Sequence, residues 1–312
     1  SNSLISDALI FLAIGIEWRK VAATLIIVTI VIVAYGIFTS GYEGFSSILT
    51  PRTIASLAFL LAGWFISAIR LRLLVDRVYG FKIKLSDSLK ARFLGGLLAN
   101  ITPSAIGGEP ARAAYLRKVM DRGIEELYAL SLYEVYYDVI LVNMMAFIPA
   151  FFYLPVSLPV VLVSSFMIAS WIYIGFFIKQ TSNNSPKGFI GWLSKKFPKF
   201  TERYLKFSTR YAEISSRISL NGKILVAVLT LSYNTLWGVA AWFFTDSSSI
   251  LQCIMAYYFM MSMGSLPTPG GSISSEYALS LVLPPSTVVS YRTLFYYSTI
   301  LIGLVILARE LD

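Results

Sequence analysis

The sequence predicts an all-α polytopic membrane protein, and three observations predict it. Hydrophobic residues fill 56% of its 312 positions and charged ones 14%, against about 25% charged in a soluble domain; mean hydropathy is +0.70. Apolar runs near 21–38, 53–69, 127–153, 159–178, 224–244 and 286–308 approach or exceed the roughly 20 residues with which a helix crosses hydrocarbon. The basic residues fall almost wholly on alternate connections between those runs. Together these give about six full transmembrane helices in one membrane domain over 1–312.

Taken in order, residues 4–16 are apolar without a basic lead, so they read as an interfacial stretch and not as a cleaved signal. Two spans follow. Residues 93–115, FLGGLLANITPSAIGGEPARAAY, form two half-length apolar helices broken at Thr102-Pro103 and Gly107-Gly108. Pro removes a backbone donor and Gly exposes backbone, which membrane depth tolerates only inside protein or beside a wet cavity; the stretch reads as a re-entrant hairpin. Spans three and four come next, then a polar connector over 180–222. There Phe200, Tyr204, Phe207, Tyr211, Ile214 and Ile218 recur every three or four residues, which predicts an amphipathic helix. It joins the halves and is expected to lie on anionic headgroups. Span five precedes a second broken stretch at 250–280, ILQCIMAYYFMMSMGSLPTPGGSISSEYALS, and span six ends the chain.

The order span, span, broken hairpin, span thus occurs twice, over 21–153 and 159–308. Each half crosses three times, an odd number, so the second is inverted relative to the first, an arrangement typical of transporters. With an inside N-terminus, all of the 26 Lys and Arg except Arg52 and Arg292 lie inside or at inner span ends. This is the positive-inside pattern. It predicts a multi-pass protein of the cell membrane with both termini cytoplasmic, and it accounts for the net charge of +9 without nucleic acid.

Absences narrow the chemistry. There is no His, which removes imidazole catalysis and His-ligated metal sites. The single Cys253 excludes an internal disulfide and any CxxC site and reads as apolar filler. No GxSxG, HExxH, P-loop or acidic metal motif occurs. No enzyme activity, metal or cofactor is expected.

The candidate site residues sit at the two breaks and in two spans. In the first break, Asn100 and Thr102 are polar, Gly107 and Gly108 let backbone approach a ligand, and Pro110 suits a first helical turn whose free N–H groups attract anions. Arg112 adds a fork of donors matched to phosphate, while Glu109 either orients Arg112 or receives the ammonium of a zwitterionic headgroup. In the second break, Thr268, Gly270, Gly271 and Ser272 offer hydroxyls and backbone amides, with Ser272 as helix cap. Glu276 complements the following helix dipole or binds a cation, a proton or an amine. Glu134 and Asp138 lie four apart on one helix face, with Asp138 about 17 Å into its span. As like charges in a low dielectric they are candidates for proton or ion coupling, one of them protonated. Arg292 either pairs with a carboxylate across the halves or forms an outer phosphate site. Asn143 and Asn234 read as interhelical glue.

NITPSAIGGEPARAAYLRK at 100–118, the acidic span with Glu134 and Asp138, and SLPTPGGSISSE at 265–276 resemble the membrane domain of the lysylphosphatidylglycerol synthase and flippase family, which includes stand-alone flippase-like members linked to archaeal glycan assembly. The resemblance covers nearly the whole chain. It implies ATP-independent translocation of a lipid with a charged headgroup, such as a phospholipid or a polyisoprenyl phosphate, with Glu109, Arg112 and Glu276 as the positions carried over. These 312 residues hold no aminoacyl-transferase domain, so a stand-alone member is expected, working with a separate lipid-modifying enzyme; a homodimer is an open alternative to a monomer. A membrane-embedded lipid-linked glycosyltransferase or its subunit, and a proton-coupled carrier of small solutes, are the alternative functions.

Overall fold

The computed structural model describes residues 18–102, 107–183 and 198–311. In chain order its principal helices are α1 (Trp18–Thr39), α2 (Arg52–Tyr79), α3 (Leu85–Ile101), α4 (Gly108–Met120), α5 (Ile124–Ala150), α6 (Leu158–Asn183), α7 (Pro198–Arg217), α8 (Leu220–Ala240), α9 (Ile250–Met263), α10 (Ser274–Ser280) and α11 (Pro285–Leu311). No strand occurs among the described residues. Among the described residues six helices are long and apolar enough to cross a membrane, one at each predicted run, and the chain is a polytopic all-α membrane protein. The interfacial stretch 4–16, the turn 103–106 and connector residues 184–197 lie outside the described residues.

Between the spans, α3 with α4 and α9 with α10 form the two short pairs expected at the breaks. Contacts at the helix ends show how the first is oriented. Lys90 near the start of α3 and Lys118 near the end of α4 both reach Glu310 at the end of α11, at 2.7 and 3.3 Å. The first pair therefore leaves and returns on one face. On that face Arg217, at the end of α7, also donates from Nη1 to the carbonyl of Val78 at 2.8 Å. At the opposite face Arg52 meets Asp246 at 2.8 Å, just ahead of α9, and the Tyr277 hydroxyl of α10 donates to the carbonyl of Val156 between α5 and α6.

Local chemistry sets the ends. Gly80 stops α2 in the left-handed conformation, its N–H on the carbonyl of Asp76, as helix-terminating glycines do. Ser249 and Gln252 cap α9 reciprocally: the Gln252 N–H donates to Ser249 Oγ and the Ser249 N–H to Gln252 Oε1. One predicted limit is corrected. The second run was closed at 69, because a charge ends an apolar window, yet α2 continues ten residues further with Leu71, Leu74, Val75 and Val78 buried. Arg70 lies inside the helix bundle with them.

Glycine lets helices approach where lipid would offer no hydrophobic drive between them. A side chain on Gly63 of α2 would strike the indole of Trp237 on α8, whose Nε1 donates to the carbonyl of Leu60 at 3.0 Å. Gly303 of α11 likewise faces Leu97 of α3. Asn143 and Asn234 each accept from α9, from Ser262 at 2.8 Å and from Tyr257 at 2.6 Å, which is the interhelical role expected of them. Of the described part of the stripe, Tyr211 and Ile214 of α7 and Ile218 just after it are buried and Phe207 is partly so, with Tyr211 against Tyr133 of α5 and Phe207 against Tyr128. This apolar face is therefore covered by protein, and Lys206 and Arg210 remain exposed on the other side.

Candidate functional site

At the centre of the bundle a set of charges is buried where sequence reasoning placed only two. Glu134 and Asp138, one turn apart on α5, face Arg70 from α2. Arg70 uses all five of its N–H donors: Nε and Nη2 to Glu134 Oε1 at 3.2 and 3.0 Å, Nη1 to Asp138 Oδ1 at 2.5 Å and Thr230 Oγ1 at 2.6 Å, and Nη2 to Asp138 Oδ2 at 3.0 Å. The other oxygen of Glu134 receives Arg112 Nη1 of α4 at 2.7 Å. Arg92 Nη1 of α3 stands 3.6 Å from that same oxygen. Tyr233 of α8 donates its hydroxyl to Asp138, and its ring has Arg70 and Arg92 at 5.1 and 5.7 Å, within cation–π range.

This arrangement corrects two expectations. Glu134 and Asp138 are not an isolated like-charged pair with one member protonated, since a guanidinium sits between them and donates to both. Arg112 pairs with Glu134, Nη1 to Oε2 at 2.7 Å, while the half-buried Glu109 forms no ion pair with it among the described residues. By sequence Arg70 and Arg92 belong to the basic residues that flank spans. The available signal was the apolar helical spacing that continues past Arg70, which a flanking residue would not show.

In the first break the small residues serve the protein's own packing. A Cβ on Gly108 would stand 3.1 Å from the carbonyl oxygen of Gly95, and one on Gly107 would be 2.8 Å from Thr102 Cγ2, so these glycines let α3 and α4 cross closely. Thr102 donates to the carbonyl of Leu98 at 2.6 Å and accepts the N–H of Gly107 at 2.9 Å, which ties the two arms across the turn. Asn100 donates to the carbonyl of Gly96.

In the second break Gly270 and Gly271 adopt φ of 56° and 68°, the left-handed region that glycine enters freely. Ser272 does not cap α10: its Oγ is buried without a hydrogen-bond partner. Glu276 satisfies the helix start, accepting the N–H of Ile273 on Oε2 at 2.6 Å, and takes Arg292 Nε on Oε1 at 2.8 Å. Arg292 also donates from Nη2 to the carbonyl of Gly270 at 2.5 Å. Arg292 thus pairs with a carboxylate of its own half, not across the halves, because the turn delivers Glu276 to it. Thr268 Oγ1 lies 3.4 Å from the hydroxyl of Ser274.

The two breaks meet. The Cβ position of Gly270 is 3.1 Å from the carbonyl oxygen of Asn100, to which the Tyr296 hydroxyl donates at 3.4 Å. Fold and site together define a multi-pass membrane protein in which two helix breaks touch beside a buried network of guanidinium and carboxylate groups. The chain belongs to the family described as lysylphosphatidylglycerol synthase TM region, whose model matches residues 8–306. Neither a curated protein nor a solved structure matches it.

Proposed function

We propose that this protein moves a lipid with a charged headgroup between leaflets without nucleotide hydrolysis, as a translocator and not an enzyme. The observation that carries the reading is the group of five charged side chains, Arg70, Arg92, Arg112, Glu134 and Asp138, gathered inside a membrane bundle. Ionisable groups in hydrocarbon are costly and mark pathways. Family membership supports a lipid-related role. Broken helices lend exposed backbone to such a path, and here both breaks converge near it. In this reading the two halves are inverted repeats, the chain resides in the cell membrane, and the face bearing Lys90, Lys118 and α7 is cytoplasmic by its positive charge. The headgroup passes between the halves while the tails stay in lipid.

Leaflet exchange of labelled phospholipids and polyisoprenyl phosphates in proteoliposomes tests it, with Arg112→Ala and Glu276→Gln at matched reconstitution. Headgroup-dependent exchange that both variants lose is the expected result. Exchange no faster than in empty liposomes for every lipid, under imposed proton or sodium gradients, overturns it.

A further inference from the structure

Two of the buried arginines hold donors that nothing among the described residues takes. Arg112 commits Nη1 to Glu134 and leaves Nε without a hydrogen bond. Arg92 commits Nε to the hydroxyl of Ser67 at 3.3 Å and leaves Nη1 without one, its nearest acceptor being Glu134 Oε2 at 3.6 Å. Their side chains are 7% and 5% exposed. An unmet charged donor at such burial is expensive, and Arg70, saturated in the same network, shows that the bundle is able to satisfy a guanidinium fully.

The free side of Arg112 has a particular shape. Its Nε–Nη2 edge, the edge from which arginine makes two parallel bonds to an oxyanion, runs beside Gly95. A methyl there would stand 3.1 Å from the carbonyl oxygen of Gly108, 3.4 Å from Nε and 3.5 Å from Nη2; the glycine that lets α3 and α4 cross also puts no side chain over the fork. Three guanidinium groups meet two carboxylates within ion-pair distance, and the carboxylate of Glu109 lies farther off, close enough to act on Arg92 and Arg112 electrostatically.

We infer that Arg92 and Arg112 form an oxyanion subsite for a phosphate group, with the Nε–Nη2 fork of Arg112 and Nη1 of Arg92 as its donors. A phosphate monoester offers three terminal oxygens to these three donors, and a diester two, each able to accept more than one bond. The subsite deepens the translocation reading, on which it rests for the source of the phosphate, a lipid headgroup. Glu134 then acts as a positioning residue: by accepting Arg112 Nη1 it turns the opposite edge of that guanidinium toward Gly95.

Binding to the purified protein in detergent tests this apart from transport, using short-chain phosphatidic acid, short-chain phosphatidylglycerol, the matching diacylglycerol and inorganic phosphate. Both phosphate lipids are expected to bind, and the diacylglycerol, which differs only in lacking phosphate, to bind at least about tenfold more weakly, the discrimination of one charge-assisted contact. Arg92→Gln, and Gly95→Ala, which covers the fork and keeps both arginines, are expected to remove that difference. Melting temperatures identify any variant that fails to fold; the wild-type comparison decides by itself if both do. Inorganic phosphate bound more tightly than either lipid overturns the lipid source. Diacylglycerol bound as tightly as the phosphate lipids overturns the subsite. Phosphate-dependent binding without leaflet exchange supports the subsite and sinks the translocation reading instead.

Discussion

Arg70 and Asp138 are joined by two parallel hydrogen bonds inside the bundle, Nη1 to Oδ1 at 2.5 Å and Nη2 to Oδ2 at 3.0 Å. This bidentate pair fixes α2 against α5, and the remaining donors of Arg70 extend the tie to Glu134 and to Thr230 on α8. Two carboxylates one turn apart would repel each other in hydrocarbon. With a guanidinium between them they hold three helices together.

Removing the centre of that network exposes its cost. Arg70→Met leaves Glu134 and Asp138 facing each other and is expected to destabilise the protein by about 3–5 kcal/mol, the usual effect of orphaning a buried charge. The double variant Arg70→Met, Asp138→Asn should recover most of the loss, since Glu134 keeps Arg112 at 2.7 Å and no charge is left on Asp138. Equilibrium unfolding in detergent micelles measures both; a double variant no more stable than the single would show that shape and not charge is what Arg70 supplies.

The ion pairs at the two faces should differ. Arg52 and Asp246 are 56% and 83% exposed, so Arg52→Ala is expected to change stability by less than about 0.5 kcal/mol. Glu310 is 14% exposed and holds both arms of the first short pair. Glu310→Gln should cost about 1 kcal/mol and accelerate proteolysis near Lys90 and Lys118, read by mass spectrometry of limited digests. Equal protection in the variant and the parent would separate Glu310 from the hold on that pair.

Gly63 predicts a steric result. A Cβ there would stand 2.3 Å from Trp237 Nε1, which is itself fixed on the carbonyl of Leu60. Gly63→Val should cost about 1–3 kcal/mol by overpacking. A melting temperature unchanged from the parent would mean that α2 and α8 separate there freely.

Gly270 and Gly41 make a matched pair. Both have positive φ, 56° and 60°, but a Cβ at Gly41 meets nothing within 4 Å, while one at Gly270 would be 2.7 Å from Val28 Cγ2 and 3.1 Å from the carbonyl oxygen of Asn100. Gly41→Ala should cost about 1–2 kcal/mol for its backbone conformation alone. Gly270→Ala should cost more and should also slow leaflet exchange, by pushing the second break off the first. Equal losses of stability and equal exchange rates in the two variants would count against the contact between the breaks.

The class of the protein was legible in the sequence, as were its six spans and the positions of both breaks, because length, apolar run and helix-breaking residues are local properties of the chain. Asn143 and Asn234 were legible for the same reason: a lone amide in an apolar helix has to find a partner. The charged network was legible through its acidic half and Arg112. Glu134 and Asp138 stood out inside an apolar span and Arg112 inside a helix break, whereas Arg70 and Arg92 sit where spans end and basic residues are ordinary. Their burial is decided by how far α2 runs on and by how α3 and α4 fold back toward α5. The same holds for Arg292, matched in sequence to carboxylates across the halves and joined in space to Glu276 by the turn at Gly270 and Gly271. The sequence by itself determined which segments are helical and which are broken, since hydropathy and backbone chemistry act over a few residues. Tertiary structure alone decided which charges neutralise which, because ion pairing depends on distances of a few ångströms between residues 16 to 220 positions apart in the chain.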